Sequence, residues 1–236
     1  MYGFGGLLNS GYFLWVFLPT VVISMIAQGM VSSAFSRWGK VRNSAGLTGE
    51  QVARRIMERA SLQVGLEGTP GQRSDHFDPS RNVVRMSQEV ATVPSVAAMA
   101  VVAHEFGHVQ QYQQKSPLIA LRSFLVPAMR FSPSVSYLLI VLGLLLNMMA
   151  LAQLGILVYG IVVLFMLLTL PVEIDASMRG MRLLRETGLM QGSEESGGAR
   201  SVLTAAALTY VAAAVTSLLN LLYYISLVSA SSNRRR

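Results

Sequence analysis

Three long stretches of this 236-residue chain contain no Asp, Glu, Lys or Arg: 1–36, 131–172 and 201–233. A helix needs ~20 apolar residues to cross the hydrocarbon core of a bilayer. The first and third stretches therefore each supply one crossing, the first with its apolar core over 12–30. The middle stretch is about twice that length and is interrupted by Asn147, Gln153 and Gly155, which predicts a hairpin of two spans, roughly 134–149 and 151–170. Charged residues make up 13% of the chain, about half the ~25% usual in soluble domains. The chain has no cysteine, which removes disulfide frameworks, thiol nucleophiles and thiolate metal sites from consideration.

The first stretch lacks the basic start and cleavage pattern of a secretory signal. Its basic residues come afterwards, at Arg37, Lys40 and Arg42. By the positive-inside rule the N-terminus then lies outside and the segment after the first span is cytoplasmic. Four spans return the segment carrying Arg179, Arg182 and Arg185 to the cytoplasm and leave the tail, Arg234–Arg236, outside. The net charge of +7 is thus explained by topology and by attraction to anionic headgroups. No zinc-finger, helix-turn-helix or RNA-binding signature is present, so the expected partner is the lipid bilayer and not nucleic acid.

Residues 37–130 are the part long enough to fold in water. Thr48 and Gln51 form a capping-box pattern, and Val52, Ile56 and Leu62 follow near helical spacing, predicting a helix over 49–61. Gly65, Gly68, Pro70 and Gly71 break it. Residues 82–87 read as a strand, with a partner near 63–67 that would complete a hairpin. A further helix is predicted over 94–114 and ends at Lys115, Ser116 and Pro117. Its first half, 96–103, is apolar, and the uncharged run 90–103 is too short to span a bilayer, so it belongs in a packed core or at the membrane surface. Residues 188–198, rich in Gly, Ser and Glu, read as a flexible linker. The expected organisation is an N-terminal transmembrane helix (1–36), a cytoplasmic segment (37–130), a transmembrane hairpin (131–172), a second cytoplasmic segment (173–200) and a C-terminal transmembrane helix with its basic tail (201–236).

That second predicted helix carries His104-Glu105-Phe106-Gly107-His108. Residues four apart share one helix face, so two imidazoles at this spacing can bind one metal ion, with Zn–N near ~2.0–2.1 Å. Glu105 lies beside that face, placed to take a proton from a water activated by the ion. Hydrolytic zinc sites need a third protein ligand and an open position. The longer HExxHxxGxxH pattern is absent, because Gln111 and Gln114 stand where its Gly and His would be. A carboxylate is the natural third ligand. Glu173 is the best placed, directly after Pro171 and Val172, where an acid without a role is costly. Asp175 is a candidate to orient a ligand from behind. His76 is a candidate to stabilise an oxyanion or to order the loop above the metal.

Five blocks now carry a family resemblance: KVRNSAGLTGEQVARRIM (40–57), DHFDPSRNVVRMS (75–87), VVAHEFGHVQQ (101–111), LPVEIDAS (170–177) and AALTYVAAA (206–214). In this order, over roughly 37–228, the chain resembles the YugP-like bacterial membrane neutral zinc metallopeptidases. The resemblance implies a gluzincin-type multi-pass membrane protein that binds zinc through His104, His108 and Glu173, with Glu105 as the catalytic carboxylate. Broader membrane gluzincins often place an Asp four residues after the ligand Glu; here that residue is Ser177. The expected fold class is mainly α: multi-pass membrane helices plus a small α+β zincin-like cytoplasmic subdomain.

The expected function is zinc-dependent hydrolysis of peptide bonds in peptide or protein substrates, membrane proteins among them, at the cytoplasmic membrane face. The strand over 82–86 is expected to pair with an extended substrate. Two other readings use the same residues: a membrane scaffold or chaperone-like protein with a structural zinc, and a hydrolase of lipid or another small amide. No oligomeric state follows from the sequence.

Overall fold

The computed structural model of the chain describes residues 10–233; the Arg234–Arg236 tail and the first nine residues lie outside them. The fold is mainly α with a small mixed sheet. Helical turns over Ser10–Tyr12 and a π-helical turn over Phe13–Phe17 lead into α1 (Leu18–Trp38). Then follow α2 (Gly49–Ala60), β1 (Gly65–Thr69), β2 (His76–Asp78), β3 (Val83–Ser87), α3 (Gln88–Thr92) and α4 (Val96–Gln113). Three long helices complete the chain: α5 (Pro117–Leu145), α6 (Met149–Glu186) and α7 (Ser193–Asn233). Among the described residues, four helical stretches are long and apolar enough to cross a bilayer: Phe13–Trp38, α5, α6 and Ser193–Ser231 of α7.

The described chain divides into two compact units. One comprises residues up to Ile26, Leu121–Leu170 and Thr209 onward. Within it α5 and α6 form the expected hairpin, turning at Asn147 with a positive φ of 59°. Small residues let the two helices touch: a Cβ on Gly143 would collide with Ala152, and one on Gly155 with Ile140 and the Ser136 carbonyl. Ile140, Ala152 and Val228 make the buried centre of this unit. Trp15, Phe124, Phe131 and Leu157 point outward, an arrangement suited to lipid and costly in water.

The second unit, Ala27–Ala120 with Pro171–Leu208, carries the sheet and α4. Thr48 caps α2 as expected: its hydroxyl accepts the Gln51 N–H, and the Gln51 side chain accepts the Thr48 N–H. Helix α4 starts at Ser95, whose hydroxyl accepts the Ala98 N–H at 3.1 Å. One side of α4 (Met99, Val102, Phe106, Val109) joins α2, β3 and Leu183 and Leu184 of α6 in one core. The other side (Val96, Ala97, Ala100) joins α1, Met181 and α7 in a second core. This explains an apolar run too short to span a bilayer: the first half of α4 is buried between two cores.

Four sequence expectations change. The partner of β3 near residue 65 is not a hairpin strand, because β1 pairs with β3 in parallel and β2 pairs with it in antiparallel. The order β1-β3-β2 puts β3 in the middle. With both edges used, β3 cannot take an extended substrate as expected. The first helix of the hairpin begins at Pro117 instead of near 134, so it includes Arg122 and Arg130. The 188–198 segment is not a flexible linker throughout, since α7 starts at Ser193. Glu194 and Glu195 favour that helix start electrostatically. The Glu195 carboxylate accepts the backbone N–H groups of Gln191 (2.8 Å) and Ser44 (2.9 Å), while Gly198 is bare because the Trp38 ring lies against it.

Candidate metal centre

Helix α4 and the part of α6 that belongs to the second unit build the centre. Helix α4 presents His104 and His108 one turn apart, with ring centroids 4.8 Å apart and planes at 84°. Helix α6 continues through Pro171, as apolar helices can when neighbours satisfy the freed carbonyl, and presents Glu173. The helices approach closely enough to exclude side chains at two points. A Cβ on Gly107 would run into the Ala176 carbonyl, and one on Gly180 would lie 2.6 Å from the Ala103 carbonyl. Gly107 inside the His-Glu-Phe-Gly-His motif and Gly180 seven residues after Glu173 are therefore the positions that let the carboxylate reach the rings.

Nε2 of His104 lies 3.2 Å from Glu173 Oε2, and Nε2 of His108 lies 3.5 Å from the same oxygen. One donor atom from each of the three residues falls within a 4.8 Å spread. Donors arranged tetrahedrally around zinc at ~2.0–2.1 Å would stand about 3.3 Å apart. Two imidazole nitrogens and a carboxylate oxygen with these separations fit zinc in both chemistry and spacing. Glu173 is 2% exposed, and a carboxylate that deep belongs with cations or strong donors.

Glu105 is buried beside the rings but is not one of the three clustered donors. Its Oε2 accepts the backbone N–H of Phe77 at 2.9 Å. Phe77 belongs to β2, the outer strand next to β3, so this bond aims Glu105 at a sheet edge.

Behind the rings lie polar partners. His104 Nδ1 is 3.1 Å from Ser177 Oγ, and His108 Nδ1 is 3.0 Å from Gln111 Oε1. The Gln111 amide nitrogen donates to the Val172 carbonyl (2.8 Å) and to Asp175 Oδ2 (2.7 Å). Asp175 also accepts from Arg179 Nε at 2.7 Å, and Arg179 Nη1 donates to Gln114 Oε1 at 2.6 Å. Asp175 thus reaches His108 only through Gln111. The ring of His76 is exposed, with Nδ1 donating to the Ser74 carbonyl at 2.8 Å, and it does not join the clustered donors. Burial alone would lower the His108 pKa, but the hydrogen bond to Glu173 and the negative charges of Glu105 and Glu173 outweigh it and raise the pKa above the usual histidine value.

Sequence reasoning missed Gln111 as a partner of His108. The signal was present, since position 111 is three residues after His108 and so on the same helix face. It also left open which residue stands behind His104; the hydroxyl of Ser177 occupies that place.

Residues 13–229 match the profile of a family described as "putative neutral zinc metallopeptidase". The chain is 40% identical over 214 residues, 90% of its own length and 95% of the relative's, to a protein of Bacillus subtilis (strain 168) named "Putative membrane protease YugP". No solved structure matches it.

Proposed function

The chain belongs to the neutral zinc metallopeptidase family, and from that premise we propose that it is a multi-pass membrane enzyme hydrolysing peptide bonds at the cytoplasmic face of the membrane. The observation that carries this reading is the convergence of His104, His108 and Glu173 donors beside a carboxylate, Glu105, that stands outside the group. Three protein donors leave a coordination position for water or substrate, the pattern of catalytic zinc sites; structural sites are closed by four. Zinc bound there would acidify a water and polarise a carbonyl oxygen.

The chain's own residues supply the rest. Glu105 takes the proton of the attacking water as its oxygen bonds to the scissile carbonyl carbon. It then passes that proton to the amide nitrogen as the C–N bond breaks, leaving a carboxylic acid and an amine. The Phe77 amide holds one oxygen of Glu105 in place for both transfers. The cytoplasmic assignment rests on Arg37, Lys40 and Arg42 following the first apolar stretch. Glu173 comes directly after the third predicted span, which favours substrates with cleavable segments next to the bilayer.

The test is cleavage by the purified protein in proteoliposomes. A single-span peptide and a soluble peptide with the same juxtamembrane sequence are compared, before and after chelation and zinc return. Cleavage that chelator abolishes, zinc restores and membrane anchoring accelerates is expected. Chelator-insensitive cleavage would overturn the zinc reading, and a preference for the soluble peptide would overturn the membrane-substrate reading.

A further inference from the structure

We propose that Gln111 is a positioning residue that locks the tautomer of His108, holding the proton on Nδ1 so that Nε2 faces the centre with its lone pair. This rests on the reading of the centre as a zinc site.

The argument is one of donors and acceptors. Gln111 is 1% exposed, so its amide must satisfy its hydrogen bonds within the protein. Its side chain meets three groups: the Val172 carbonyl, the Asp175 carboxylate and His108 Nδ1. A backbone carbonyl and an ionised carboxylate only accept. The amide NH₂ must therefore face these two, since the flipped orientation would set its oxygen against two other oxygens. With both N–H donors used, the amide oxygen is left facing Nδ1 at 3.0 Å. That oxygen only accepts, so Nδ1 must carry hydrogen and Nε2 is left to face the centre. Arg179, donating to Asp175 at 2.7 Å, holds that carboxylate in position. Metal-binding histidines are commonly oriented in this way by an acceptor on the second ring nitrogen. Here a neutral amide does it, polarised by a carboxylate one step behind.

The two rings are held unequally. Ser177 Oγ, 3.1 Å from His104 Nδ1, can donate or accept, so it does not dictate a tautomer. His108 is the pre-set ligand.

The test is zinc affinity by chelator competition, read with the thermal melt of the same proteins. Gln111→Met keeps length and apolar bulk but removes the acceptor; zinc affinity is expected to fall about 10- to 100-fold, the usual effect of losing such a partner. Nitrogen NMR of the imidazole reads the tautomer directly: His108 should carry its hydrogen on Nδ1 in the wild-type protein and show a mixture of tautomers in Gln111→Met, which a simple packing role would not produce. Asp175→Ala, at a partly exposed position, removes one of the two obligate acceptors and should weaken zinc binding several-fold, giving a second route should Gln111→Met fail to fold. Wild-type affinity in folded Gln111→Met, or in Asp175→Ala where the first variant does not fold, would overturn the lock and leave the zinc reading standing. A wild-type protein that binds no zinc would overturn both.

Discussion

Glu173→Ala is expected to lose zinc. Structural zinc sites bind with about 10–16 kcal/mol spread over four ligands, so one ligand is worth about 2.5–4 kcal/mol, on the order of a 10²- to 10³-fold fall in affinity. The loss should be specific to the metal, because the fold at this point is held by other contacts: Val172, Ala176, Leu183 and Leu184 are buried on the same helix, and Gly107 and Gly180 fit its crossing with α4. Glu173→Gln, which keeps the shape but removes the charge, should show most of the same loss. Zinc content after dialysis against a weak chelator, with circular dichroism to confirm folding, reads the effect. A folded Glu173→Ala protein with full zinc would remove Glu173 from the centre.

The second large effect is on rate without metal loss. Glu105→Gln should retain zinc and lose turnover by about 10²- to 10⁴-fold, the range for removing a general acid–base group. The substitution is structurally mild. The amide oxygen of Gln can still accept the Phe77 N–H that Glu105 Oε2 accepts at 2.9 Å, so strand β2 stays where it is. Parallel measurements of zinc stoichiometry and peptide cleavage separate the two roles: the Glu173 variant loses both, the Glu105 variant only the second. Equal cleavage by wild-type and Glu105→Gln proteins would contradict the proposed proton transfer.

How far these residues could be read beforehand depended on how local the information was. The His104/His108 pair and its neighbour Glu105 are a helix-spacing signal, legible because a helix places residues four apart on one face whatever surrounds it. Glu173 was legible for a different reason, as an acid immediately after a long charge-free stretch. The Thr48 cap likewise involves residues three apart. What stayed hidden depends on partners distant in sequence. The parallel pairing of β1 with β3 joins segments 18 residues apart, and no turn chemistry announces it. The Gly-Ser-Glu composition of 188–198 resembles a linker, but Glu195 finds Ser44 and Gly198 finds Trp38 only in the folded chain. Ser177 and Gln111 are unremarkable until α4 and α6 cross. Gly107 and Gly180 permit that crossing, and a single glycine in a helix does not by itself say what it lies against.

The central claim is that one zinc ion is gripped jointly by two rings on α4 and one acid on α6. A crystal of the zinc-loaded protein measured at the zinc absorption edge tests it most directly. The expected result is a single anomalous peak within bonding distance of His104 Nε2, His108 Nε2 and a Glu173 carboxylate oxygen. A zinc peak at other residues, or none at this site in zinc-loaded crystals, would contradict it.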